Sequence, residues 1–280
     1  MSTFSSLGLK KELITIIEKQ QITTPTKVQE RAIPLILQKH NIIVQAKTGT
    51  GKTFAYALPT IQQLGSKLNL SLLIVAPTKE LAYQIKDDLE PITSKLNLKI
   101  AVFSGGKPIQ SDSNILQRRN QIIVGTPGRL VEYINTKKIR LSDLKFIVLD
   151  ETDKMLEMGF VKDISYLLER CPKLTQKLLF SATQEQKLLD IIGEYFQDAK
   201  LLRVEQKIIS DKLKQYFLEV PNTEKKELLL KVLEKEKKKT IVIFSNKKIV
   251  VDHLVTFLGE HQFKAKAMHG DFTSLERKNI

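Results

Sequence analysis

Seven short apolar runs punctuate the chain, and each breaks off at a polar or glycine-bearing turn. They are Asn41–Gln45, Leu72–Ala76, Ile100–Phe103, Gln121–Val124, Phe146–Leu149, Lys177–Phe180 and Leu201–Val204. Around them apolar residues recur at helical spacing. Leu7, Leu9, Leu13, Ile14, Ile16 and Ile17 predict an amphipathic first helix, and Val28, Ala32, Ile33, Ile36 and Leu37 predict a second. Thr26 is placed to cap that second helix, and Pro34 within it predicts a kink or an early turn. Further helices are expected after Thr53 and from Lys79 through Leu89. Continuous apolar strands alternating with helices predict an α/β fold, a parallel sheet with helices on both faces. Ligands in such folds bind at the carboxyl ends of the strands, so turns scattered along the sequence are expected to meet in space.

After Val204 the pattern fades into the polar stretch 205–214. A second alternation then begins: strand-like Gln215–Val220, helical Glu224–Glu236, strand-like Thr240–Phe244, helical Lys247–Leu258 and strand-like Lys264–Met268. The expected organisation is a first domain over 1–204, a linker over 205–214, and part of a second α/β domain over 215–280. Within the 280 residues, 42% are hydrophobic, enough for a substantial core. Lys and Arg number 45 against 31 Asp and Glu, a formal charge of +14 that favours polyanionic partners. Cys171 is the only cysteine, which excludes an intrachain disulfide and suits a reducing compartment. The first residues lack the build of a signal peptide, and no apolar run approaches the length of a membrane span, so a protein without a membrane association is expected.

The richest turn is Ala46-Lys47-Thr48-Gly49-Thr50-Gly51-Lys52-Thr53. Strand, glycine-rich turn and helix is the context in which backbone N–H groups close around phosphate. Lys52 would reach the β- and γ-phosphates and the Thr53 hydroxyl would ligate Mg²⁺. The general phosphate-loop pattern has Gly where this chain has Ala46. Asp150-Glu151 follows a buried strand; one acid there can hold Mg²⁺ and the next can orient an attacking water, although paired acids also serve as helix N-terminal charges. Gly105-Gly106, Thr126-Pro127-Gly128-Arg129 and Ser181-Ala182-Thr183 each read equally well as a turn or a helix start when taken alone.

Taken in order, these pieces resemble the DEAD-box ATP-dependent RNA helicases over essentially the whole chain. Phe4 with Thr24-Pro25-Thr26-Lys27-Val28-Gln29 resembles the Q motif, Ala46–Thr53 motif I, Pro77-Thr78-Lys79-Glu80-Leu81 motif Ia, and Thr126–Arg129 motif Ib. Asp150-Glu151-Thr152-Asp153 resembles motif II, Ser181-Ala182-Thr183 motif III, and Ile241–Ser245 motif IV of a second RecA-like domain. Ala46 is then the family's own form of motif I.

The resemblance implies ATP and Mg²⁺ as cofactors. Phe4, Thr24 and Gln29 would meet the base, and Ala46, Lys47, Thr48, Gly49, Thr50, Gly51, Lys52 and Thr53 the phosphates. Lys52, Asp150 and Glu151 would be catalytic, with Thr53 and Asp150 on the metal. Pro77, Thr78, Lys79, Gly106, Thr126, Gly128 and Arg129 would line an RNA-backbone face, with Ser181 and Thr183 coupling it to ATP. It also implies a monomeric cytoplasmic helicase (nuclear or nucleolar in a eukaryote) acting on RNA, with ribosome-assembly or RNA-decay partners.

Departures are Thr152 for Ala, Lys79 for Arg, Gln21-Ile22 for the Gly-Phe before the Q-motif proline, and Ser274 for the Gln expected between His269-Gly270 and Arg277. Motifs V and VI, whose arginines complete the family's ATP site, would lie beyond Ile280. The 280-residue chain is therefore expected to bind ATP weakly and to hydrolyse it poorly or not at all. A truncated RNA- or partner-binding chain, a DNA-directed helicase of the same superfamily and a generic phosphate-loop ATPase are the other readings.

Overall fold

The computed structural model describes residues 2–64, 69–106, 119–183, 186–204, 214, 216–221, 224–236, 240–272 and 274–280. The chain divides into two units, Met1–Ser210 and Asp211–Ile280. Of the stretch 205–214 read as a linker, all but Lys214 lies outside the described residues.

In the first unit, α1 (Lys11–Glu18) and α2 (Lys27–Leu37) precede β1 (Ile42–Gln45) and α3 (Lys52–Gln62). β2 (Leu72–Val75), α4 (Lys79–Lys95), β3 (Ile100–Phe103), β4 (Ile122–Gly125) and α5 (Pro127–Asn135) follow. Then come β5 (Phe146–Leu149), α6 (Thr152–Glu157), α7 (Val161–Glu169), β6 (Gln176–Ser181), α8 (Gln186–Tyr195) and β7 (Lys200–Arg203). The strands form one seven-stranded sheet in the order β3-β4-β2-β5-β6-β1-β7, with every pair parallel. The expected α/β class and all seven expected strands are present.

Successive residues of a strand point to opposite faces, and the core obeys this. Ile42, Val44, Leu72, Ile74, Val148 and Phe180 pack on one face with residues of α1 to α4. Ile43, Leu73, Val75, Ile147, Leu149 and Leu179 pack on the other with α5 to α8. A strand covered on both faces has no room for polar alternation, which is why these stretches read as unbroken apolar runs.

The first helix starts later than its apolar spacing suggests. Gly8 sits at φ +90°, outside helical space, and Leu7 and Leu9 are buried in the turn before α1. The Gln62 side chain fixes that turn by accepting from the Lys10 N–H (2.6 Å) and donating to the Gly8 carbonyl (3.0 Å). α2 opens with a reciprocal Thr26–Gln29 capping box and ends three residues after Pro34, which matches the early turn.

The second unit carries α9 (Lys225–Lys235), α10 (Lys248–Glu260) and α11 (Ser274–Asn279). The strands expected over 215–220, 240–244 and 264–268 are not formed among the described residues. Strands require hydrogen-bonding neighbours, and these stretches have none there; Phe217 and Phe244 stand 85% and 92% exposed.

Gly125 ends β4 where space is shortest. A Cβ there would stand 2.7 Å from the Phe103 carbonyl oxygen and 2.7 Å from Leu130. Gly125→Ala is expected to destabilise the first unit by about 1–3 kcal/mol through overpacking, read as a lowered urea midpoint. An unchanged midpoint would contradict the packing described.

Candidate functional site

The turns at the carboxyl ends of the strands fall into two groups because of the strand order. β5, β6 and β1 are neighbours, so Asp150-Glu151, Ser181–Thr183 and the Ala46–Lys52 loop lie side by side. β2, β4 and β3 are neighbours on the other half, carrying Pro77–Lys79, Thr126–Arg129 and Gly105-Gly106. The backbone stitches the first group directly: the Ala46 N–H donates to the Ser181 carbonyl at 2.9 Å.

The β1–α3 loop has the form of an anion cradle. Gly49 (φ +74°) and Gly51 (φ +84°) hold left-handed conformations that side chains resist, and a Cβ on Gly49 would meet nothing within 4 Å. Gly51 is the N-cap of α3, and no side chain caps this helix. α2 and α4, by contrast, are capped by Thr26 and Thr78. The first N–H groups of α3 and the positive end of its dipole therefore face the loop without a side-chain acceptor, the arrangement that receives phosphate. Lys47, Thr48 and Gly49 are exposed, while the Thr50 hydroxyl braces the turn by donating to the Lys47 carbonyl (2.8 Å). Lys52 is only 6% exposed, and its Nζ donates to the Ala46 carbonyl at 3.1 Å.

Asp150 faces this loop from β5 and is 3% exposed. Oδ1 accepts from the Glu151 N–H (2.9 Å) and Oδ2 from the Tyr56 hydroxyl (2.9 Å). Burial pushes the Asp150 carboxyl above the usual carboxylate range, against the pull of Lys52 and Tyr56. Burial, then the Asp150 charge, pushes the Tyr56 hydroxyl well above its ordinary value. Glu151 takes a left-handed conformation (φ +47°) as the N-cap of α6, and Lys154 donates to its Oε2 at 2.8 Å. Buried Asp150 and half-buried Thr53 present hard oxygen donors beside a lysine. That set suits Mg²⁺, which binds through one or two carboxylates, substrate phosphates and water.

The Asp150 turn is tied to β6 by the next two residues. Thr152, fully buried, directs its hydroxyl at the Leu149 and Phe180 carbonyls, both at 3.2 Å. Asp153 Oδ2 accepts from the Ala182 N–H (3.0 Å), the Thr183 N–H (2.9 Å) and the Thr183 hydroxyl (3.1 Å). The Ser181 hydroxyl closes the turn on the Thr183 carbonyl (2.7 Å).

Such a strand–loop–helix cradle, with a buried Lys–Asp pair, is matched over residues 26–191 by the family profile described as DEAD/DEAH box helicase. The chain belongs to this family. It is 35% identical over its whole length to the DEAD-box ATP-dependent RNA helicase CshA of Geobacillus kaustophilus, covering 60% of that protein. A probable ATP-dependent RNA helicase of Methanocaldococcus jannaschii is 36% identical over 99% of the chain, which covers 74% of it. The chain spans 54% of the CshA of Listeria monocytogenes, at 34% identity. Among solved structures, that of a DEAD box protein from the hyperthermophile Methanococcus jannaschii superposes with a TM-score of 0.70 and 35% identity, covering 99% of this chain and 75% of that one. The fold is thus the RecA-like fold of DEAD-box proteins.

Several family positions do structural work in this structure. Gln29 is 2% exposed; its Oε1 accepts from the Thr26 N–H (2.9 Å) and its Nε2 donates to the Gly51 carbonyl (3.0 Å). Phe4 is 2% exposed within the core, and Thr24 is exposed. On the β2–β4–β3 half, Pro77 is buried, Thr126 is half-buried, and Gly106 and Gly128 are exposed. The Thr78 hydroxyl accepts from the Leu81 N–H (3.2 Å). Lys79 is 38% exposed and 4.0 Å from Glu80. Arg129 is 7% exposed, donating to the Ser104 carbonyl (3.2 Å) and Glu132 (2.9 Å). Sequence reasoning missed Tyr56 and Asp153 as site-builders. The available signals were a tyrosine hydroxyl on the buried side of an apolar helix and an acid one turn after Asp150.

Two outcomes are expected. Tyr56→Phe keeps the ring, which packs edge-on against Phe180 at 5.2 Å, and removes the donor to Asp150. It is expected to cost about 1.5–3 kcal/mol, the scale of a hydrogen bond to a charged group, in urea unfolding at neutral pH. Asp150 is held above its unfolded value, near 4, so its charged form destabilises the fold at any pH above the folded value, and that penalty disappears below about 4. Asp150→Asn is therefore expected to be more stable than the parent at pH 7 and to lose this advantage as the pH falls toward 4. A constant difference between the two pH values would contradict it.

Proposed function

We propose that the protein is an ATP-dependent RNA helicase, hydrolysing ATP at the ends of β1, β5 and β6 and gripping RNA backbone at the ends of β2, β4 and β3. The observation that carries this reading is the buried Lys52 and Asp150 at the uncapped start of α3. The loop N–H groups and Lys52 would take the phosphates, a job that needs fixed donors and a dry surround more than covalent chemistry. Asp150 and the Thr53 hydroxyl would hold Mg²⁺, which supplies charge neutralisation on the phosphate oxygens. Glu151 would orient the attacking water once its carboxylate leaves Lys154. Gln29 braces Gly51 from behind, and its remaining N–H and lone pair are the equipment for an adenine edge, with Phe4 shaping the wall from within the core.

On the other half, RNA would be held by its backbone. Lys79 supplies charge, Gly106 and Gly128 allow close approach, and α5 presents an N-terminus that no side chain caps. Thr78 and Arg129 would hold this surface in shape, given their partners. Asp153, bound to Ala182 and Thr183, ties the metal turn to motif III, which supports Ser181 and Thr183 as the coupling element. The same reading makes RNA the partner, in ribosome assembly or RNA decay, in a cytoplasmic setting. Among the described residues no helix is long and apolar enough to cross a membrane.

Titrating the 280-residue chain with a fluorescent ATP in the presence of Mg²⁺ tests this. Saturable binding is expected, and Lys52→Ala is expected to weaken it at least about tenfold, the equivalent of roughly 1.4 kcal/mol of phosphate binding. Equal affinity of parent and variant would overturn the assignment.

A further inference from the structure

The opposite end of the sheet, where the parallel strands begin, carries a second concentration of positive charge. Lys39, Lys99, Arg119 and Lys145 stand just before β1, β3, β4 and β5, and Lys177 and Lys200 lie at the starts of β6 and β7. This end includes an open cavity of about 470 Å³ with Arg119, Lys137, Lys138 and Arg140 around it and Asn69 and Asn120 beside them. One carboxylate, Asp143, joins the lining, and it accepts the Ser142 hydroxyl at 3.2 Å. All four cations are exposed. Among the described residues none of the four forms an ion pair.

Helix dipoles account for part of this charge. α2, α3, α4, α5, α7 and α8 each run into the start of a strand and so end at this side of the sheet, where a cation is favourable at each carboxyl terminus. A helix carboxyl terminus carries about half a negative charge, less than three cations would neutralise. The segment after α5 carries three, Lys137, Lys138 and Arg140, and Arg119 joins them in the lining of the cavity. Ile139 and Leu141, 5% and 7% exposed, anchor the segment in the core; Lys137, Lys138 and Arg140 are exposed, with Lys138 Nζ 5.8 Å from the centre of the Tyr133 ring. Four cations against one engaged carboxylate form a donor-rich basin suited to phosphate diesters, and three of the four lie on a core-anchored turn.

We propose that this end of the sheet is a second docking surface for RNA backbone, separate from the face at the carboxyl ends of the strands. It would hold a further segment of the same RNA, most simply the phosphates of a neighbouring duplex. The proposal rests on the RNA reading above. A helicase with such a surface is tethered to structured RNA independently of the nucleotide cycle at the other end of the sheet.

The test is fluorescence anisotropy of a labelled blunt-ended RNA hairpin over a salt series, with the 280-residue chain, the variant Arg119→Glu/Lys137→Glu/Lys138→Glu/Arg140→Glu, and Lys79→Ala. The quadruple variant is expected to bind at least about tenfold more weakly, and the slope of log K against log salt to fall by about 0.9 for each phosphate that the variant no longer neutralises. Its affinity for fluorescent ATP is expected to stay unchanged, because none of the four residues lies at the nucleotide end. Unchanged hairpin affinity and slope in the quadruple variant, with weakened binding in Lys79→Ala, would overturn the second surface and leave the RNA reading standing. Failure of the parent chain to bind the hairpin at all would sink both. Weakened binding to heparin with unaltered hairpin binding would also overturn it.

Discussion

Asp150 is a carboxylate in a place that disfavours its charge, and the surrounding structure is arranged around that fact. Burial of an ionised acid is costly unless it is paired and hydrogen-bonded. Here Lys52 supplies the opposing charge, and the Tyr56 hydroxyl and the Glu151 N–H supply the donors. Lys52 is held in turn by the Ala46 carbonyl, at the mouth of a loop that only glycines can form. These partners come from β1, α3 and the β5 turn, so the site exists only when those elements are packed. A divalent cation and polyphosphate would relieve the same strain by supplying partners for Asp150 and for the loop N–H groups, which makes ligand binding and local stability two sides of one quantity.

Strand order sorts the turns at this end of the sheet into two groups. Placing β6 between β5 and β1 brings the Ser181–Thr183 turn against the Asp150-Glu151 turn, and Asp153 and Thr152 join the two with hydrogen bonds from a single short segment. Threonine in place of alanine at 152 leaves no unpaired buried hydroxyl, because its O–H is directed at two carbonyls. The other half of the sheet carries exposed glycines and Lys79 over a base stiffened by Thr78 and Arg129. Three bonds to one Asp153 carboxylate oxygen hold the Ser181–Thr183 turn against the turn that carries Asp150.

The fold of the first unit was legible because fully covered strands leave unbroken apolar runs and their turns keep polar residues. The phosphate loop was legible because glycine spacing and the Lys-Thr pair follow from backbone geometry. Tyr56 was not assigned: Phe54-Ala55-Tyr56-Ala57-Leu58 hints at a buried hydroxyl in need of a partner but does not name the carboxylate 94 positions away that it meets. Arg129 and Gln29 were assigned to ligands by resemblance, yet their burial and protein partners emerge only in three dimensions. In the second unit the same apolar periodicity predicted strands that are absent among the described residues, because a strand is a property of a pair and sequence reports one partner at a time.

Amide hydrogen exchange of the 280-residue protein, with and without ATP and Mg²⁺, measures the central claim most directly. Slowed exchange confined to the loop 46–52, the Asp150-Glu151 turn and Ser181–Thr183, with 137–143 unaffected, is the predicted result. Exchange at the loop and the Asp150 turn unchanged by saturating nucleotide would contradict it.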